Sequence, residues 1–132
     1  MKLNPEDRNN IVRLRLERAK ETLQETKGIA EMKYWRVAAN RLYYTCFYAV
    51  SALLIKNGYT THTHSGIITL LGLHFVSKGI ISKEQGNFYN KLAALRHTGD
   101  YDDWNTICAE DVLPKIPLAE EFINTIEELI LR

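Results

Sequence analysis

The nineteen residues from Val37 to Ile55 contain one charge, Arg41, inside the run RVAANRLYYTCFYAVSALLIKNG. An apolar stretch of this length belongs either in a bilayer or at the centre of a helical protein. Asn40, Thr45 and the aromatics Tyr43, Tyr44, Phe47 and Tyr48 break it up, so it reads as a buried helix and no membrane contact is expected. At 100° per residue, Trp35, Ala38, Ala39, Leu42, Tyr43, Cys46, Phe47, Val50, Leu53 and Leu54 cover about half of the cylinder. Val37, Tyr44, Tyr48, Ala52 and Ile55 lie on the other half, around Arg41. A helix apolar on all sides must be covered on all sides, by its own bundle or by a second subunit. Self-association along this helix is therefore expected.

The remaining elements assemble around it. The pattern predicts a first helix from about Pro5 to Thr26, with Asn4 as cap and Pro5 in the first turn. Its stripe would run through Ile11, Leu14, Arg15, Arg18 and Leu23, with a bend at Gly28. The apolar helix follows from about Ala30 to Asn57 and stops at Gly58. A third helix spans about Ser65 to Lys78 and ends at Gly79. Ser82 and Gln85 form a capping-box pattern that opens a fourth helix to about His97, with Phe88, Leu92 and Leu95 inward and Gly99 as its stop. A last helix, about Ala109 to Leu131, would be anchored by Leu118, Phe122, Ile126, Leu129 and Ile130, its start kinked or delayed by Pro114 and Pro117. No strand is predicted. The expectation is an all-α, up-and-down antiparallel bundle of four to five helices, a single domain over 1–132.

Charge is unevenly distributed. Residues 1–96 carry fifteen Lys/Arg against seven Asp/Glu, whereas residues 97–132 carry two against nine. Either the acidic end packs on the basic body, or the basic face is left to hold phosphate. Two cysteines, Cys46 and Cys108, make no disulfide framework, and Met1-Lys2-Leu3-Asn4-Pro5 runs into charged helix with no signal-peptide pattern. A cytoplasmic location is the expectation.

Three groups of residues carry chemistry. Arg96 ends the fourth helical run and is followed by His97-Thr98-Gly99-Asp100-Tyr101-Asp102-Asp103-Trp104. A guanidinium offers a planar fork of donors for phosphate, and a tyrosine beside it stacks on a base or donates to an oxygen. Equally, Arg96 suits the helix dipole and Asp100 can hold it as a local ion pair. Arg41, about 55 residues earlier, must be paired or reach a solvent groove: a second phosphate contact, or a partner for Asp100 or Glu84. His62, His64, His74 and His97 read as surface or capping residues. No His or Cys pair has metal-ligand spacing, so neither metal nor cofactor is expected.

The runs RLYYTCFYAVSALLIKNGY, HTHSGIITLLGLHFVSKG, LRHTGDYDDW and EDVLPKIPLAEEFINTIEELI, in this order, resemble the small stand-alone HEPN proteins (higher eukaryotes and prokaryotes nucleotide-binding domain). The resemblance covers about Glu17 to Leu131. It implies a helical bundle that forms a homodimer, binds RNA or a nucleotide, and is the toxin-like or accessory half of a toxin–antitoxin or defence module with a nucleotidyltransferase-like antitoxin. Family members with ribonuclease activity use an arginine followed after four to six residues by a histidine, without a metal. Arg96 matches that arginine, but Tyr101, Asp102 and Asp103 stand where the histidine belongs. On this resemblance Arg96 and Tyr101 are the candidate catalytic pair, and Arg41, Tyr44, Arg96, Asp100 and Tyr101 the candidate nucleotide- or RNA-binding set. The alternative is a non-catalytic interaction and dimerisation module.

Overall fold

The computed structural model describes residues 3–132, and among these the secondary structure is entirely helical. Helix α1 spans Pro5–Glu31, α2 Trp35–Lys56, α3 His64–Leu71, α4 Lys83–Tyr101, α5 Ala109–Val112 and α6 Lys115–Leu131. A π-helical stretch, Gly72–Val76, extends α3. The architecture is an up-and-down antiparallel bundle. Among the described residues no helix is long and apolar enough to cross a membrane.

Helix α2 is the axis. It contacts α1, α3, α4, α5 and α6, and twelve of its residues, from Ala38 to Leu54, are buried. Small side chains bring α1 and α2 close: Ala19, Thr22, Thr26 and Ala30 face Ala38, Ala39, Thr45 and Ala49 in one core. The buried threonines satisfy their hydroxyls locally, Thr26 on the Thr22 carbonyl at 2.7 Å and Thr45 on the Arg41 carbonyl at 2.9 Å. At the other side of α2, Tyr43, Tyr89 and Phe122 form a buried aromatic column, with Tyr89 stacked on Phe122 at 6.0 Å.

Helix ends decide where the chain reverses. Gly58, at φ +80°, closes α2 with Tyr59 N–H on the Leu54 carbonyl and Gly58 N–H on the Ile55 carbonyl, the paired pattern of a Schellman motif. The same pair of bonds ends α1, but there the left-handed residue is Lys33, at φ +63°. Gly28 does not bend the chain; α1 runs through it to Glu31. Gly99 is no stop either. Helix α4 continues through it to Tyr101, and the glycine there leaves room for neighbours: a Cβ would lie 2.7 Å from Ile107 Cδ1 and 3.5 Å from Arg36 Cγ.

Other expectations are corrected in the same way. Leu14 and Leu118 are about half exposed, at 56% and 48%; the expected Leu23, Phe122, Ile126 and Ile130 are buried, joined by Val12, Leu16 and Ala19 in α1 and by Ala119 and Ile123 in α6. Ser82 caps α4 through Gln85 N–H at 3.1 Å, but the Gln85 side chain turns to Thr125 at 3.0 Å and does not return to the cap. Pro114 and Pro117 split the last helical segment into α5 and α6.

The two left-handed caps should respond with opposite sign. Gly58→Ala is expected to lower unfolding free energy by about 1 kcal/mol, and Lys33→Gly to raise it by up to about 1 kcal/mol, in urea titrations followed by circular dichroism. Equal effects of the two would contradict the assigned helix ends.

Candidate functional site

Arg41 projects from the middle of α2 and Arg96 from the last turns of α4, and both guanidiniums come to one ring. The Arg41 Cζ lies 5.0 Å from the Tyr44 centroid and the Arg96 Cζ 6.0 Å from it. Arg96 also sits 5.1 Å from the Tyr43 centroid and 6.0 Å from that of Tyr101. Aromatic faces carry partial negative charge and attract a weakly hydrated guanidinium, which lets it be partly buried without a full carboxylate partner.

Polar contacts complete the link. Arg41 donates from Nε and Nη2 to Asn40 Oδ1, at 3.1 and 3.0 Å. Asn40 Nδ2 donates in turn to Asp100 Oδ2 at 3.1 Å, and Asp100 Oδ2 lies 3.5 Å from Arg96 Nη1. Arg41 therefore has a neutral amide for a partner, and its charge is unneutralised by any ion pair among the described residues. Arg96, with its side chain 15% exposed, has one long carboxylate contact, and its buried Nε has no protein partner among the described residues. Neither guanidinium is saturated. Glu84 opens α4 and makes no ion pair with Arg41.

The GDY corner divides its residues. Asp100 faces the arginines, and Tyr101 is 66% exposed with its ring 5.0 Å from that of His97. Asp102 is committed to the loop: its carboxylate accepts from Trp104 N–H at 2.8 Å and from the Asn105 amide at 2.6 Å. Those hydrogen bonds, the Asn105 side chain first, hold its pKa below the usual carboxylate value. An open hollow of about 440 Å³ lies beside this corner, lined by Arg36, Val37, Asn40, Gly99, Asp100 and Tyr101. Of the five residues singled out from the sequence, Asp100 and Tyr101 line this hollow, and Arg96, Arg41 and Tyr44 adjoin it through the ion pair, the Asn40 bridge and the cation–π contacts.

Three further residues belong to it. Asn40 bridges the two arginine systems. Tyr43, wholly buried, reaches the site with its phenol end, and His64, at the start of α3, holds that phenol with Nδ1 at 2.7 Å. The His64 ring packs 4.9 Å from Phe47 and 5.9 Å from Tyr44. Burial, and then the Arg96 charge, hold the His64 pKa below its ordinary value, while burial pushes the Tyr43 phenol up. In the sequence His64 resembled a capping residue; the cap of α3 is Thr63, whose hydroxyl accepts from Gly66 N–H at 2.9 Å. No group of three or more His, Cys, Asp or Glu among the described residues could hold a metal ion.

Comparison with known proteins gives a consistent picture. The HEPN domain family model matches residues 12–129. The chain is 37% identical over 124 residues to a UPF0332 protein of Thermotoga maritima, with 94% of each chain covered. It is 33% identical over 128 residues to a Methanocaldococcus jannaschii protein designated a toxin candidate, covering 97% of this chain and 94% of that one. The crystal structure of TT1696 from Thermus thermophilus shares the fold, with a TM-score of 0.75 at 18% identity over 89% of this chain and 96% of that one.

The electrostatic coupling of Arg96 to His64 can be measured directly. Arg96→Gln removes a nearby positive charge and makes protonation easier, so the His64 pKa should rise toward its ordinary value in an NMR titration of the ring protons. An unmoved or lower pKa would separate the two residues.

Proposed function

The chain belongs to the HEPN domain family, and from that premise we propose that it binds RNA through its phosphates at a cleft formed by the surface around Tyr44 and the neighbouring hollow at Asn40, Asp100 and Tyr101. Arg41 and Arg96 grip the phosphodiester, Asp100 orients Arg96 through their ion pair, and Tyr44 and Tyr101 offer ring faces to the bases. The observation that carries this reading is the convergence of two unsaturated guanidiniums on one partly exposed ring. The rings hold both guanidiniums in place and leave donors over for a ligand. In the cell the protein is the toxin-like or accessory half of a two-component module whose other half is a nucleotidyltransferase-like antitoxin, a role consistent with the designation of its archaeal relative. The chemistry such a cleft suits is attack of an RNA 2′-hydroxyl on the neighbouring phosphate. The attack closes a 2′,3′-cyclic phosphate and breaks the bond to the 5′-oxygen of the next nucleotide, the 2′-proton passing to water and the leaving oxygen taking one from it. Arg96 would stabilise the charge that develops there, with Tyr101 as a second donor.

Two copies are proposed to pair across the same face. Val37 is 51% exposed, Tyr101 66% and Trp104 95%; the first two line the hollow at the end of α4, and Trp104 follows in the loop three residues on. Large apolar groups left open around a polar hollow fit a self-complementary contact.

RNA binding is tested by fluorescence anisotropy with a labelled oligouridylate, with uridine monophosphate as the competing free nucleotide. Arg96→Gln and Arg41→Gln should each weaken binding about tenfold, and each should reduce the slope of log affinity against log salt by about 0.7. Unchanged affinity in both variants would leave the interaction-module reading in its place. Light scattering at micromolar concentration should show a dimer for the wild type and a monomer for Val37→Asp; a monomeric wild type would remove the paired cleft.

A further inference from the structure

We propose that His64 is a third phosphate-binding group of this cleft, a neutral imidazole whose Nε2–H donates to the same phosphodiester that Arg96 and Arg41 hold. The proposal rests on the RNA reading above and adds a residue from a different element, the start of α3.

Position comes first. The His64 ring is wedged against Tyr43, Tyr44 and Phe47 at centroid distances of 5.6, 5.9 and 4.9 Å. Tyr44 is the ring on which both arginines converge, and Arg96 also lies 5.1 Å from the Tyr43 centroid, so the imidazole and the guanidiniums are neighbours across the same two tyrosines. The segment that carries the ring is tightly built. A Cβ at Gly66 would overlap the Thr61 hydroxyl and lie 2.8 Å from Thr63 Oγ1, so only glycine lets the threonine loop fold under the start of α3.

Hydrogen bonding sets the tautomer. Tyr89 offers its hydroxyl to Tyr43 at 3.5 Å, and the Tyr43 oxygen lies 2.7 Å from His64 Nδ1. Both phenols are buried and keep their protons, since burial raises both pKa values. With Tyr89 donating to it, Tyr43 directs its own proton to Nδ1, and a neutral imidazole that accepts at Nδ1 carries its hydrogen on Nε2. That nitrogen has no protein partner among the described residues, and His64 as a whole is exposed. It borders a hollow of about 260 Å³ whose wall includes Arg15, Phe47, Tyr59 and His62.

Charge sets the protonation state. The ionisable groups facing the ring are Arg96 from α4, Tyr43 and Tyr44 from α2, and, around the shared hollow, Arg15 from α1 and His62 from the loop. None is a carboxylate. Burial and Arg96 both disfavour the imidazolium, so at neutral pH the group is a donor without charge. A neutral donor beside cations is well placed for a phosphate oxygen: it adds a hydrogen bond without adding repulsion among the binding groups.

The test uses the full chain and the labelled oligouridylate. Glutamine at position 64 can place an amide N–H near the site of Nε2, and leucine cannot. Binding by His64→Gln should stay within about threefold of wild type, and that by His64→Leu should fall about tenfold. Wild-type affinity should be level between pH 7 and pH 8. Long-range ¹H–¹⁵N spectra of the unmutated protein should show the Nε2–H tautomer, with that resonance moving when RNA is added. Wild-type affinity in His64→Leu, with weak binding by Arg96→Gln, would overturn the role of His64 and leave the RNA reading standing. An Nδ1–H tautomer, or affinity that falls as pH rises from 7 to 8, would overturn the neutral-donor assignment. A wild type that does not bind the RNA at all would end both readings. Circular dichroism of each variant separates lost contacts from lost fold.

Discussion

Everything at the cleft depends on how this fold accommodates guanidinium charge next to its core. Desolvating a cation without a partner is costly, and pairing it fully with carboxylates leaves it nothing to offer a ligand. Two consecutive tyrosines on α2 provide an intermediate solution. Tyr43 is wholly buried and continues the aromatic column of Tyr89 and Phe122, whereas Tyr44 stays partly open. Their faces and edges hold Arg96, Arg41 and the His64 ring together. The surface geometry is thereby tied to the best-packed part of the molecule, and a shift in the column would reach the arginines through one shared phenol. Rings also restrict the guanidiniums without consuming their hydrogen-bond donors, which is the property a phosphate site requires.

Much of the fold was legible in the chain itself, and the exceptions have physical causes. The apolar run with one arginine identified α2 as the axis, and Asn4, Gly58 and Gly79 marked real boundaries. Glycine, however, has two uses that look alike in sequence. At Gly58 it supplies a left-handed cap; at Gly99 it supplies space for Ile107 and Arg36 within a continuing helix. The end of α1 was hidden for the opposite reason, because the left-handed position is filled by Lys33, a residue with ordinary helix preference. The α1 stripe held at Leu23 and missed at Leu14, where helical phase alone had to choose between neighbouring faces and α1 buries Val12, Leu16, Ala19 and two threonines.

The candidate site was legible in its charges and illegible in its neutral members. Arg41 and Arg96 stand out because each interrupts an apolar run, and Asp100 and Tyr101 follow from Arg96. Asn40 gives no such signal, although it joins the two arginine systems. Tyr43 fell on the core face, which is correct for its ring and silent about its hydroxyl. His64 depends on the threonine loop bringing α3 back against α2, a contact across 21 residues that no local spacing encodes.

The distribution of charge completes the physical picture. The acidic last quarter of the chain packs on the basic body, but it does so away from the cleft. Glu127 and Glu120 on α6 pair with Lys20 and Lys27 on α1, and Asp111 caps α5 by accepting from Cys108 N–H at 2.9 Å. Each exposed pair contributes only about 0–1 kcal/mol, too little to hold the bundle. Their consequence is spatial: carboxylates are engaged on the α1–α6 side, Asp102 is engaged within its own loop, and Asp100 is the carboxylate paired at the cleft. One carboxylate between two guanidiniums leaves an excess of positive charge there. A chain close to neutral in total can thus carry two guanidiniums against one paired carboxylate around Tyr44, and an approaching phosphate responds to such a local field more than to the net charge.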